Sequence, residues 1–386
     1  MNFLKIFTWV IIVFSLFACS SVDGFNFLDA FYKDKGLERY VVYTSKTAQD
    51  RRSERAKEAI LKSNGKIHKK MRYHDAYVAF LDPDKIKPEA FSGVIFEKDI
   101  IHEMSMDGCQ QKPDPDLPPP PDEQPKEIYD WGSERIGADY AHQFNQGEGV
   151  KVCIVDTGLD RSHIEFSSPD KVLACESFVD GESCDDLESH GTHVAGIVAA
   201  DLNGVGIVGT APKAKLLIMK ALDRFGSGYS SDIADAVKGC MNQGADIINM
   251  SLGASSPSSV IHNAIIEAYN QGAIIVAAAG NDGGAVGYPA AFRETVAVSS
   301  MNPFDDISYF SSRGQEISFI GAGSEIYSSV PNSNYATFSG TSMASPQIAG
   351  VYALLLSSGK SMITEDLNLL DTEQGLGLPN LKEIFK

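Results

Sequence analysis

The chain has 386 residues, 43% of them hydrophobic, and a net charge of −18, enough for one large domain and a smaller one beside it. The acidic surplus excludes nucleic acid as a partner, because phosphate binding demands basic surface. The charge is unevenly placed. From Glu38 to Ser105 fourteen Lys and Arg stand against eleven Asp and Glu, a net +3, whereas Met106 onward carries sixteen against thirty-seven, a net −21. The basic part is expected to dock on the acidic one.

Residues 1–19, MNFLKIFTWVIIVFSLFAC, read as a signal peptide: Lys5 gives a positive start, and the apolar run from Ile6 to Phe17 is too short to span a bilayer. The protein is therefore expected to be exported, as a secreted or membrane-anchored species. The closing LFAC resembles the lipobox of bacterial lipoproteins, which would make Cys19 a lipidated residue. Phe17 is bulkier than that motif usually carries, and a plain export signal is the alternative. Export implies oxidising conditions. Cys175 and Cys184 bracket the polar loop CESFVDGESC, where a local disulfide is expected, while Cys153 lies in an apolar strand and is expected to pack as a small core residue. Cysteine spacings match no zinc site.

Residues 38–105 form the next unit. RYVVYT reads as a strand; RRSERAKEAILKSNG reads as a helix with Ala56, Ile60 and Leu61 on one face and Gly65 at its end. KIHKKMRYHDAYVAFL gives two strands, KIKPEAF a short helix and GVIFEKDI a last strand, a βαββαβ (ferredoxin-like) order. Residues 106–128 follow as an extended linker with six prolines between Pro113 and Pro121. From Tyr129 to Lys386, near-continuous apolar runs (VKVCIVDTG, KLLIMKAL, ADIINMSLG, GAIIVAAAGN) alternate with helices ended by glycine. That order predicts an α/β domain, a mostly parallel sheet flanked by helices, with its site at the strand ends.

Four stretches bring chemistry to such ends. VCIVDTGLD closes a buried strand at Asp156, SHGTHVAG opens a helix at His190, IVAAAGND delivers Asn281, and FSGTSMASP sets Ser342 at a helix N-terminus. A serine nucleophile needs a base, an acid to orient that base, and donors for the oxyanion. Residue types alone leave Ser342 open to a capping role and His193 open to being the base. HGTH lacks the glutamate and the spacing of a zinc protease helix.

These stretches closely resemble the motifs of the subtilisin-like serine proteases, the subtilases (peptidase S8 family), whose Asp, His, Ser order they share. The resemblance runs from WGSERIG to GLGLPNLKEIF. It implies a serine endopeptidase acting on protein or peptide substrates without an organic cofactor. In it Asp156 orients His190, His190 is base and then acid, and Ser342 attacks. Asn281 and the Ser342 N–H hold the oxyanion, and His193 packs. It also implies a substrate cleft from Gly226, Gly228, Ser251, Leu252, Gly253, Gly280 and Gly287, with large apolar side chains favoured before the cleaved bond. A structural calcium site would fall at Glu165 and Asn203, where Glu165 stands in place of the family's usual Asp. Residues 38–105 then resemble a propeptide that inhibits in cis and is removed near Met104 to Met106, which would also detach a lipid at Cys19. The same motifs would serve a broad degradative enzyme, a maturation protease for one partner, or a fold kept as an inactive binding protein.

Overall fold

The structure, a computed structural model, describes residues 32–33, 35–44, 52–104 and 126–386. Cys19, the signal and most of the proline-rich linker lie outside the described residues. Strands β1 (Glu38–Thr44), β2 (Lys66–Lys70), β3 (Ala76–Leu81) and β4 (Val94–Lys98) form an antiparallel sheet of order β2-β3-β1-β4, covered by helix α1 (Arg52–Lys62). Ala56, Ala59 and Ile60 of α1 are buried, but Leu61 is 58% exposed. Successive helical residues are turned by about 100°, so a narrow face cannot bury both Ile60 and Leu61. The expected helix at KIKPEAF is instead two single 3₁₀ turns, Pro83–Lys85 and Pro88–Ala90, each opened by a proline.

The chain then leaves this sheet. The strand expected at GVIFEKDI ends at Lys98, two residues short of that reading, and Ile101–Met104 form a separate strand β5 that pairs elsewhere.

The larger body is built on β6 (Lys151–Asp156), β7 (Val172–Ser177), helix α2 (His190–Ala199), β8 (Lys215–Lys220), β9 (Ser227–Tyr229) and helix α3 (Ser230–Asn242). There follow β10 (Ile247–Met250), β11 (Leu252–Gly253), helix α4 (Ser259–Asn270), β12 (Ile274–Ala278), β13 (Thr295–Met301), β14 (Ile317–Ala322), β15 (Ile326–Val330), β16 (Asn334–Phe338) and helix α5 (Thr341–Ser358). Seven strands make a parallel sheet of order β14-β13-β12-β10-β6-β8-β7. Burial on both faces explains why their sequences are apolar throughout.

Alternation along β6 fixes the site's direction. Val152 and Ile154 join the core shared with α2 and α5, while Cys153 and Val155 join the core on the side of α3 and α4. By the same two-residue period Asp156 belongs to the α2 and α5 face. Cys153, on the other face, is disulfide-bonded to Cys240 of α3, 87 residues away. It is thus not the free core thiol expected from sequence. Both environments are apolar, so the strand pattern alone could not separate them. Cys175 and Cys184 are joined by a second disulfide.

Opposite charge joins the two units. Lys69 reaches Asp232 (2.8 Å) and Asp180 (3.3 Å), Arg72 reaches Glu176 (3.2 Å), and His74 Nδ1 lies 2.7 Å from Asp235. Carboxylates of the basic unit also meet helix N-termini. Asp99 accepts from the Ser231 N–H (3.0 Å) and hydroxyl (2.8 Å) at α3, and Glu97 accepts from the Ser259 N–H (2.7 Å) at α4. Helix dipoles favour negative charge at those ends.

Candidate active site

Asp156 ends β6, and His190 opens α2; both side chains are fully buried, with His190 Nδ1 2.7 Å from Asp156 Oδ1. Thr157 locks the two elements together. Its N–H donates to Asp156 Oδ1 (2.7 Å), its hydroxyl donates to Asp186 (2.9 Å) and accepts from the Gly191 N–H (2.8 Å). Asp186 in turn accepts from the N–H groups of Glu188, Ser189 and Thr192, which ties down the start of α2. Burial lowers the His190 pKa, but the carboxylates of Asp156, Glu188 and Asp186 outweigh it and hold the pKa above its ordinary value. His190 Nε2 is buried without a hydrogen-bond partner, so the nitrogen that a base would use is free.

His193 has a different environment. Its Nε2 donates to the carbonyls of Ile326 and Ala336 (3.1 Å each), and its ring stacks on Phe338 with centroids 4.3 Å apart. Burial depresses its pKa to about 3. It packs as a neutral ring.

Ser342 is the second residue of α5 and fully buried. Its hydroxyl donates to the carbonyl of Ser251 (2.9 Å), while the Ser251 hydroxyl donates to the carbonyl of Ser342 (2.9 Å). This exchange fastens the end of β10 to the start of α5, helped by Asn249, whose side chain meets both Ser251 and Ser345. The hydroxyl is therefore not bonded to His190 here; rotation about its Cα–Cβ bond changes its partner, and such bonds commonly tighten only with substrate present. Asn281 follows β12. Its Oδ1 accepts from the N–H and the hydroxyl of Thr341 (2.9 Å each), so its amide is fixed beside Ser342. Asn281 Nδ2 is buried without a partner: a donor with nothing yet to receive it. Gly280 N–H donates to the Thr341 hydroxyl (3.1 Å), completing the junction.

Three of the glycines expected in the cleft, Gly226, Gly228 and Gly253, lie along a strand of the chain itself. Strand β5 lies antiparallel between β9 and β11, pairing Ile101 with Tyr229, His102 with Gly228, Leu252 with Met104 and Gly253 with Glu103. Met104 N–H also donates to the carbonyl of Gly226 (3.0 Å). Gly226 has φ +78°, and a Cβ there would lie 2.7 Å from Met104 Sδ; at Gly228 a Cβ would lie 2.1 Å from the carbonyl of Ala221. Neither position tolerates a side chain in this backbone. Beyond β11, Ala254 and Tyr288 exchange hydrogen bonds of 2.9 Å in an antiparallel bridge, which sets Gly287 against the Ala254 carbonyl, 3.3 Å from where its Cβ would lie.

Glu165 and Asn203 are close, with Asn203 Nδ2 3.4 Å from Glu165 Oε2, but they meet as donor and acceptor. Glu165 Oε1 accepts from the Ile207 N–H (2.8 Å) and the Tyr335 hydroxyl (2.7 Å), and Asn203 Oδ1 accepts from the Val205 N–H (3.0 Å). Burial raises the Glu165 pKa to about 7. Oxygens committed to N–H and O–H donors do not form the oxygen cage that calcium takes, so the residues as arranged do not fit that ion. Among the described residues no three His, Cys, Asp or Glu side chains converge as a metal-binding group. No described helix is long and apolar enough to cross a membrane.

Sequence reasoning missed Thr157, Asp186, Glu188, Thr341 and Lys220. Lys220 pairs with Asp156 in the sheet, is fully buried, and its ammonium donates to the Thr157 carbonyl (2.5 Å) beside Glu182 (3.2 Å). The acidic run before SHGTH was the available signal for Asp186 and Glu188, since acidic residues before a helix cap it. Nothing in KLLIMKAL distinguishes Lys220 from a strand-end lysine in solvent.

A family model for the subtilase family matches residues 147–372. The chain is 41% identical to a thermophilic serine proteinase of Bacillus sp. (strain AK1) over 61% of this chain and 59% of that one. It is 33% identical to subtilisin J of Geobacillus stearothermophilus over 90% and 88%, and 42% identical to thermitase of Thermoactinomyces vulgaris over 60% and 83%. With its parallel seven-stranded sheet between helix layers and these matches, the chain belongs to the subtilase family and is a serine endopeptidase.

Proposed function

We propose that this endopeptidase works through Asp156, His190 and Ser342, and that it is made as an exported, self-processing zymogen. The observation that carries this reading is the buried Asp156–His190 pair at 2.7 Å, with Nε2 of the imidazole unpartnered. The Ser342 hydroxyl gives its proton to His190 Nε2 as Oγ attacks the substrate carbonyl carbon. The resulting oxyanion accepts from Asn281 Nδ2 and the Ser342 N–H, near the positive end of an 18-residue helix. The imidazolium, stabilised by Asp156, then protonates the leaving amine, and water hydrolyses the acyl-enzyme by the reverse transfer. No step uses a metal.

Strand β5 supports the zymogen reading, since it runs where an extended peptide would pair with β9 and β11. The unit of residues 38–105 then inhibits in cis until the chain is cut near Met104 to Met106. Gly253 and Gly287 support a cleft that admits large apolar side chains before the cut bond. Cys19 carries lipid before maturation, so processing releases the catalytic domain from the membrane.

Labelling by a fluorophosphonate tests the nucleophile: wild type is labelled and Ser342→Ala is not, and equal labelling of the two refutes the assignment. Membrane fractionation tests the release, with Ser342→Ala retained and wild type freed. Equal retention counts against it.

A further inference from the structure

His102 is not placed as an ordinary residue of an inhibitory strand. It is 1% exposed, and its Nε2 lies 2.9 Å from the Ser230 hydroxyl. Strand alternation separates it from its neighbours: Ile101 is 45% exposed, whereas His102 and Met104 turn toward the enzyme body. Ser230 also holds the backbone of the same strand. Its N–H donates to the Ile100 carbonyl (2.9 Å), and its hydroxyl lies 3.3 Å from that same oxygen. Any extended peptide brings a carbonyl to that place. With its proton turned to that carbonyl, the hydroxyl offers its lone pairs to an N–H from the side chain two residues on. His102 Nδ1 is buried without a partner, so the tautomer with the proton on Nε2 is the one that leaves no buried N–H unpaired. Burial lowers the pKa of His102 to about 4, so the ring sits there neutral, as a single N–H donor.

We propose that Ser230 makes this position of the cleft a polar subsite, selecting substrates with a neutral N–H side chain (His, Asn or Gln) where the chain's own tail carries His102. The inference rests on the reading of β5 as a substrate-like strand. An aliphatic side chain there would leave the hydroxyl without its donor in a buried place. A cation would have to be desolvated with no carboxylate of the enzyme shown at hydrogen-bond distance from the position.

The test uses the full-length protein brought to constant activity, with active sites counted by fluorophosphonate. Its substrates are peptides copying residues 98–108 with His, Gln, Ala, Leu or Phe in place of His102. One hydrogen bond predicts kcat/KM about tenfold higher for His than for Leu in wild type. Ser230→Ala brings the two within about twofold, and Ser230→Thr, which keeps a hydroxyl, restores the preference. Leu or Phe cleaved as well as His by wild type, or a His-to-Leu ratio unchanged in Ser230→Ala, overturns the subsite while the cleft reading stands. No Ser342-dependent cleavage of any peptide overturns both.

Discussion

Asn281 makes two kinds of contact that substitution can separate. Its Oδ1 accepts two bonds from Thr341, whereas Nδ2 is buried and unpartnered. In Asn281→Ala both sides are lost. Removal of one oxyanion donor from a subtilisin lowers kcat on the order of 10²–10³-fold, about 2.7–4 kcal/mol, and the same range is expected here. The buried Thr341 N–H and hydroxyl also lose their acceptor, at a cost of about 1–3 kcal/mol. For a domain of this size that is a fall in Tm of roughly 2–12 °C. Asn281→Asp keeps an acceptor oxygen for Thr341 and removes only the donor. It should lose at least as much kcat, since it adds negative charge where negative charge develops, while Tm moves by less than about 2 °C. Steady-state kinetics on a chromogenic peptide gives the first quantity, with KM expected to stay within about threefold because the donor acts on the transition state. Thermal unfolding in a Ser342→Ala background, free of self-digestion, gives the second. Asn281→Asp with kcat within about threefold of wild type would refute the argument.

Three further outcomes are expected. His190 must be neutral to act as base, so activity falls as pH drops through its raised pKa. Glu188→Gln removes one of the charges that raise it, keeps an oxygen for the His190 N–H, and should move the acidic limb of the kcat/KM profile to lower pH; an unmoved or upward-shifted limb contradicts the electrostatics. Asp99, buried against Arg39 (2.8 Å) and Ser231, anchors the basic unit on α3. Asp99→Ala removes the charged acceptor that the Ser231 N–H and hydroxyl use across the contact, and hydrogen bonds to a charged group contribute about 1.5–3 kcal/mol. Fluorophosphonate should then label full-length protein at least about tenfold faster, and an unchanged rate rejects the anchor. Because the Tyr335 hydroxyl and the Ile207 N–H occupy Glu165 Oε1, chelation by EDTA should change Tm by less than about 2 °C, whereas Tyr335→Phe should destabilise by about 1 kcal/mol. A large drop in Tm with EDTA alone would show that a metal holds the loop.

Much of the sheet was legible because a parallel strand buried on both faces must be apolar along its length. VKVCIVDTG, KLLIMKAL, ADIINMSLG and GAIIVAAAGN each became a strand of the same sheet. The candidate catalytic residues were legible for a related reason: Asp156, His190, Asn281 and Ser342 all stand where a strand ends or a helix begins, and local sequence marks such ends. Local sequence could not show which partner a residue would find. Cys153 meets Cys240 only because α3 packs across β6, Lys220 is buried only because β8 pairs with β6 beside Asp156, and Glu165 is satisfied by Tyr335 from 170 residues away. Asp99 and Ile100 were likewise read as the close of the strand GVIFEKDI, whereas that strand ends at Lys98 and the groove between β9 and β11 draws Ile101–Met104 into another sheet. Propensity and periodicity are set by neighbours in the chain and so are written in the sequence; the pairing of charges, thiols and strand edges is set by distances in space, which only the packed fold decides.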